Sequence, residues 1–213
     1  MRFLDRPFCE VLGTPFATDQ PDGTLSGAAL ADPPPFRRLR SVVAYGPIAR
    51  KMVQGLKYND RTDLAPWMAG WMARSGSQLI ADCDVIVPVP LHRTRYLLRR
   101  FNQSAELARA LSHSTPVKFD PALLVRTRRT RRQVGLERNA RRDNVRGAFA
   151  VPEALRIGIV GKKVLLIDDV YTTGATVRAC TKALLKAGAS AVDVLTFARV
   201  LVDDFSADEL ALI

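Results

Sequence analysis

Cysteine is scarce in this chain. Cys9, Cys83 and Cys180 are odd in number and far apart, which leaves no disulfide framework and no cysteine cluster for a structural metal. Long apolar runs are missing too. Nothing approaches the roughly 18 uninterrupted residues of a membrane-spanning helix, so membrane insertion is not expected. The opening Met1-Arg2-Phe3-Leu4-Asp5-Arg6-Pro7 breaks with charge and proline before a signal-peptide core forms, and the expected compartment is the cytoplasm. Acidic residues are outnumbered, with 21 Asp and Glu against 32 Lys and Arg, a formal net charge of +11. What is present is ordinary for a globular protein: 213 residues, 47% of them hydrophobic, suit one α/β domain and a short appendage.

Residues 1–35 are rich in Gly, Pro, Asp, Ser and Thr and end in Pro33-Pro34-Pro35, which marks a boundary before a domain spanning 36–213. From Phe36 the pattern is regular. Strands are expected at 40–45, 84–90, 164–167 and 191–202, helices at 48–57, 64–74, 102–111 and 174–186, with an edge strand beginning near Phe149 and Val151. Gly188 is placed to end the last helix. Such alternation argues for a doubly wound parallel sheet. No internal repeat is visible.

The most informative stretch is 164–176. Four apolar residues, Val164-Leu165-Leu166-Ile167, read as a strand buried on both faces, of the kind found in parallel sheets. Asp168 and Asp169 follow, and then Thr172, Thr173, Gly174, Ala175 and Thr176 lead into a helix. Adjacent carboxylates accept hydrogen bonds from two neighbouring sugar hydroxyls, whereas they repel a phosphate. The small loop turns backbone N–H groups and hydroxyls onto a phosphate at the positive end of the helix. Together they read as a sugar-phosphate clamp.

Arginine is concentrated in two places. Residues 126–146 hold nine arginines against Glu137 and Asp143, and Arg93, Arg95, Arg99 and Arg100 follow the strand at 84–90. The guanidinium fork binds phosphate oxygens in pairs, so the segment reads as a solvated basic loop, a cradle for a multiply phosphorylated substrate, or a track for nucleic acid. Near these clusters the aromatic residues available for base stacking are Tyr96, Phe101 and Phe149, few for a dedicated single-strand binder.

The stretch 164–176 resembles the phosphoribosyl pyrophosphate signature of type I phosphoribosyltransferases. In that family the acidic pair holds the ribose 2′- and 3′-hydroxyls and the following loop wraps the 5′-phosphate. Further stretches extend the resemblance to the ComF (competence protein F) family from about Pro34 to Arg199. They are Gly55-Leu56-Lys57-Tyr58, Val87-Pro88-Val89-Pro90-Leu91-His92-Arg93, Arg100-Phe101-Asn102-Gln103-Ser104-Ala105-Glu106-Leu107-Ala108, Gln133-Val134-Gly135-Leu136 and Asn144-Val145-Arg146-Gly147-Ala148-Phe149.

The resemblance implies a type I phosphoribosyltransferase-like α/β fold and a phosphoribosyl pyrophosphate ligand. It also implies Mg²⁺, brought with that ligand near Asp168 and Asp169. Pro90, Leu91, His92 and Arg93 match the pyrophosphate loop, with Lys57 as a further contact; turn exposure for His92 and helix capping for Lys57 are the plainer alternatives. Gln133, Arg138 and Arg142 fall in the hood that closes over substrate. Arg128, Arg129, Arg131 and Arg132 are the nucleic-acid candidates, for single-stranded DNA, given the family's association with DNA uptake. A second copy of the chain is a further partner to consider.

Two departures limit the reading. The family opens on a zinc ribbon whose first pair reads Cys-x-x-Cys-Gly-x-Pro; here Cys9-Glu10-Val11-Leu12-Gly13-Thr14-Pro15 has Leu12 at the second cysteine. Residues 1–35 are therefore expected to be a degenerate ribbon without zinc, since one thiolate does not supply four ligands. Purine-salvage relatives carry an Asp at Thr172 that handles a purine proton, so purine-base salvage is disfavoured. A glutaminase function is not expected either, because the chain is short and has no N-terminal cysteine nucleophile. Three functions stay open: a transferase of unknown acceptor, a nucleic-acid binder on this fold, and a retired enzyme that senses the ligand.

Overall fold

Apolar runs on consecutive residues require cover on both faces of a strand, and this governs the architecture. A computed structural model describes residues 1–58, 61–91, 101–128 and 144–201. Among the described residues, β1 (Leu39–Ala44), β2 (Val85–Pro88), β3 (Lys118–Phe119), β6 (Lys163–Tyr171) and β7 (Ala191–Arg199) form one sheet. Their order is β1-β7-β6-β2-β3 and every pairing is parallel. A small ribbon is separate, with β4 (Val125–Arg126) antiparallel to β5 (Phe149–Ala150).

The helices are α1 (Gly27–Ala31), α2 (Pro47–Tyr58), α3 (Leu64–Ser75), α4 (Ser77–Ala81), α5 (Gln103–His113), α6 (Arg156–Ile159) and α7 (Ala175–Lys186). Strand alternation divides the core in two. Val164, Leu166, Val192 and Val194 pack with Val177, Cys180 and Leu184 of α7. Leu165, Ile167, Leu195 and Phe197 pack with Met68 and Met72 of α3 and Leu107 and Leu111 of α5. No helix among the described residues is long and apolar enough to cross a membrane.

Most expected elements are found within a residue or two of their places, and two strand ends differ. The strand expected to stop at Ile167 runs on to Tyr171, because its backbone keeps pairing with β7 past the carboxylates: Asp168 is opposite Thr196 and Tyr171 opposite Arg199. The last strand closes at Arg199, short of the expected 202. Phe149 does begin a strand, paired in the ribbon with Arg126, whose guanidinium lies 5.2 Å from the Phe149 ring centroid. Gly188 follows the C-cap of α7 with φ +109°, and its N–H donates to Leu185 O at 3.0 Å.

The N-terminal residues are irregular apart from α1; residues 17–23 are exposed, while the chain start and the turn at 9–13 dock on the domain. Phe3 bridges Val43, Leu4 N donates to Val42 O and Ala44 N to Arg2 O, both at 2.9 Å, so the chain start lies along the open edge of β1. Cys9 and Leu12 lie in one turn, closed by Gly13 N donating to Cys9 O at 2.7 Å. The Cys9 sulfur accepts N–H groups from Leu12 at 3.4 Å and Ser26 at 3.2 Å. Cys9, Leu12 and Ala29 are buried with Phe36 and Leu39 in the core facing α7. Apolar side chains thus surround Cys9 and Leu12. Arg40 adds a polar tie, donating to Glu10 O and Oε1, each at 2.7 Å, with its guanidinium 4.3 Å from the Phe8 ring centroid.

Candidate functional site

In an open parallel sheet the ligand crevice opens where neighbouring strands send their connections to opposite sides. Here that point falls between β2, which continues to β3, and β6, which continues to β7. The candidate residues from both strands converge on it. β2 ends in the Pro88-Val89-Pro90-Leu91 turn, fastened to β6 by Val89 N donating to Ile167 O at 2.9 Å. Pro90 is buried and Leu91 half-buried. Asn102 caps α5 by accepting from Ser104 N at 3.1 Å and holds the turn by donating Nδ2 to Val89 O at 2.9 Å.

The two carboxylates take separate partners. Ser104 Oγ donates to Asp168 Oδ1 at 2.9 Å, and Asp169 N donates to the same oxygen at 3.0 Å. Lys57, at the end of α2, sets its ammonium 2.5 Å from Asp169 Oδ2, and Val170 N donates to Asp169 Oδ1 at 2.9 Å. Lys57 thus stands on the acidic pair.

These partners separate the acidities of the pair. Burial disfavours both charges. At Asp168 burial, reinforced by the negative charge of Asp169, pushes the pKa up to about 8. At Asp169 burial is outweighed by the Lys57 ammonium, and its carboxyl is held below the usual range. Burial also opposes the charge on Lys57, but Asp169 overcomes it and raises the ammonium above its ordinary value.

A stability consequence follows. Asp168, raised in the folded state, binds its proton more tightly there than in the unfolded chain. Its stabilising contribution is present below the ordinary carboxylate range and is lost as pH rises towards about 8. Asp168→Asn removes that dependence. We expect the melting temperature of the variant to gain on wild type between pH 5 and pH 8; a difference constant across that range would contradict the assignment.

The loop after β6 leads into α7 through a left-handed glycine. Gly174 has φ +77° and caps α7, and Arg178 N makes the first helical bond to Gly174 O at 2.9 Å. The first turn of α7 contains no acidic residue to compete for the helix terminus. Thr173 Oγ1 is buried there without a hydrogen-bond partner. A buried hydroxyl without a partner is costly unless something supplies one. Thr172, Thr173 and Thr176 are half-buried, and Gly174 and Ala175 buried.

The structure brings together Asp168, Asp169, Lys57, the Pro90–Leu91 turn and the loop at 172–176. His92, Arg93, Arg129, Arg131, Arg132, Gln133, Arg138 and Arg142 lie outside the described residues. Arg128 is described and exposed, and its Nη2 donates to Arg146 O at 2.8 Å and Asn144 O at 3.3 Å, joining the two ends of the arginine segment. Sequence reasoning gave no role to Ser104 or Asn102. Asn102 carried a signal, an amide side chain ahead of an apolar-periodic helix; Ser104 carried none.

The chain is similar to known proteins over most of its length. The family model for the phosphoribosyl transferase domain matches residues 105–209. The DNA utilization protein YhgH of Escherichia coli K12 is 35% identical over 183 residues, covering 82% of this chain and 78% of that protein. Competence protein F of Haemophilus influenzae is 33% identical over 116 residues, 54% of this chain and 50% of that protein. Among solved structures, the allosteric regulatory enzyme of purine biosynthesis is similar with a TM-score of 0.42 and 21% identity over 68% of this chain and 32% of that one. With its parallel sheet, its acidic pair at the crossover point and a relative this similar over most of both lengths, the chain belongs to the ComF family of phosphoribosyltransferase-like proteins.

Proposed function

We propose that this protein binds phosphoribosyl pyrophosphate together with Mg²⁺ in the cytoplasm, as a phosphoribosyltransferase of unspecified acceptor acting in DNA uptake or use. The observation that carries the reading is the juxtaposition at one crossover point of the Asp168–Asp169 pair and a Gly174-capped helix whose loop holds the unpartnered Thr173 hydroxyl. The carboxylates suit the ribose hydroxyls, and the loop amides with Thr173 suit the 5′-phosphate. Hard carboxylate oxygens fit Mg²⁺, which needs few direct protein ligands and, when bound, offsets charge on the departing pyrophosphate. The names of the relatives, DNA utilization protein and competence protein F, support the DNA context. Titration calorimetry with phosphoribosyl pyrophosphate tests the reading. Saturable heat that requires Mg²⁺ is expected, and absence of heat at millimolar ligand would remove it.

Net charge of +11, with nine arginines at 126–146, favours a second reading in which the same chain holds single-stranded DNA. Changing Arg128, Arg129, Arg131 and Arg132 together to Ala then weakens single-strand binding more than it weakens the small ligand. The salt dependence becomes shallower by about 0.7 for each phosphate that the variant no longer neutralises. Equal DNA affinity and slope in the variant would return the segment to a solvated loop.

A further inference from the structure

The phosphate loop does not stand alone; the N-terminal segment holds the elements on both sides of it. Arg199 ends β7 and is buried, and its Nη1 donates to Leu12 O at 2.6 Å. Its guanidinium carbon lies 5.2 Å from the ring centroid of Tyr171, the residue opposite it in the sheet. Tyr171 ends β6 and is likewise buried. The ring lies directly against the loop: a Cβ added to Gly174 would fall 2.5 Å from Tyr171 Oη and 2.8 Å from Cζ. On the helical side, Arg178 donates Nη2 to Asp32 O at 2.9 Å and Nη1 to Pro33 O at 3.4 Å.

The carbonyl that anchors Arg199 is itself fixed. The turn carrying it closes through Gly13 N to Cys9 O at 2.7 Å, and Leu39 N donates to Val11 O at 2.8 Å. Gly13 has φ +59°, and a Cβ there would lie 2.3 Å from Leu39 O, so the turn sits on β1 with no slack.

Burying a guanidinium is expensive, and Arg199 Nε has no partner. An apolar side chain would fill the same space at lower cost. What Arg199 adds is a directional link: one donor fixed on the N-terminal turn and a flat cation against the ring that supports Gly174.

We propose that Tyr171 and Arg199 are positioning residues for the 5′-phosphate loop, coupling the N-terminal turn at Leu12 to the backbone of Gly174. The assignment rests on the phosphoribosyl reading of the loop. A loop held in its binding conformation before ligand arrives gives up less conformational freedom on binding. The N-terminal residues would thereby bear on ligand affinity as well as on folding.

The test uses the full chain with Arg199→Met, Tyr171→Leu and Tyr171→Phe. Amide hydrogen exchange is read at residues 172–176, and ribose 5-phosphate is titrated in parallel. In Arg199→Met and Tyr171→Leu, loop exchange should rise about tenfold while the amides of β2 and α5 keep wild-type rates. Affinity for ribose 5-phosphate should fall by a similar factor, about tenfold. Tyr171→Phe keeps the ring and should match wild type in both. Unchanged loop exchange in Arg199→Met and Tyr171→Leu overturns the proposal, and so does acceleration spread evenly over the whole chain. If Arg199→Met does not fold, Tyr171→Leu against Tyr171→Phe decides alone. Altered loop exchange in a protein whose wild type ignores ribose 5-phosphate supports the coupling and rejects the phosphoribosyl reading.

Discussion

Asp168→Asn combined with Asp169→Asn should weaken binding of phosphoribosyl pyrophosphate by about 100-fold or more. Each carboxylate that accepts a sugar hydroxyl makes a hydrogen bond to a charged group, worth about 1.5–3 kcal/mol, and the double variant loses two of them. The fold should survive at some cost. Asparagine at 168 still accepts from Ser104 Oγ and, below about pH 8, replaces a carboxyl that already holds its proton. Asparagine at 169 leaves the Lys57 ammonium without its counter-charge. Removing one partner of a buried pair costs about 3–5 kcal/mol, and Lys57, with a quarter of its side chain open to water, should lie below that range. Asp168→Asn alone keeps the Lys57 pair, so its melting temperature should exceed that of the double variant. Titration and melting of the three proteins separate the two roles; wild-type affinity in the double variant would remove the ribose assignment.

Gly174→Ala should also weaken binding, by a smaller factor. At φ +77° a side chain is strained by about 1 kcal/mol, and the new methyl would meet the Tyr171 ring at 2.5–2.9 Å. The loop has to move away from its position over the ring. Affinity should fall by at least about tenfold, since misplacing the groups that cradle a phosphate removes charge-assisted hydrogen bonds. Gly188→Ala is the matched control. It too has positive φ, +109°, and meets Val160 at 3.0 Å, but it lies beyond the other end of α7. It should lower the melting temperature and leave affinity unchanged. Equal affinity loss in both variants would mean that general destabilisation, not the loop, is being measured.

Much of this site was legible in the sequence because its parts are local. A buried parallel strand reads as an unbroken apolar run, a loop of Thr and Gly before a periodic helix reads as a phosphate cradle, and both lie within 164–176. The partners of the acidic pair were not legible. Lys57 reaches Asp169 from the end of α2, and Ser104 reaches Asp168 from the start of α5, and only the packing of those helices on the sheet brings them there. Side-chain character also misplaced the end of β6: carboxylates interrupt an apolar run, while the backbone ladder with β7 ignores them.

The N-terminal residues show the opposite limit. Their low periodicity matches their irregular backbone, yet their docking is made of backbone bonds such as Leu4 N to Val42 O and Leu39 N to Val11 O, which no side-chain pattern records. The helices α1, α4 and α6 are too short to show a period, and β3 and β4 are two residues each. Asp193 was hidden for the same reason as Lys57. It is buried at the sheet end away from the site, where it accepts from Arg37 at 2.5 Å and Arg38 at 2.7 Å.

The most direct test of the central claim is a crystal structure of the protein soaked with phosphoribosyl pyrophosphate and Mg²⁺. The account predicts the ribose hydroxyls on Asp168 and Asp169, the 5′-phosphate on the amides and hydroxyls of residues 172–176, and the pyrophosphate towards the Pro90–Leu91 turn. A ligand bound elsewhere, or crystals that take up none at saturating concentration with this crevice open to solvent, would contradict it.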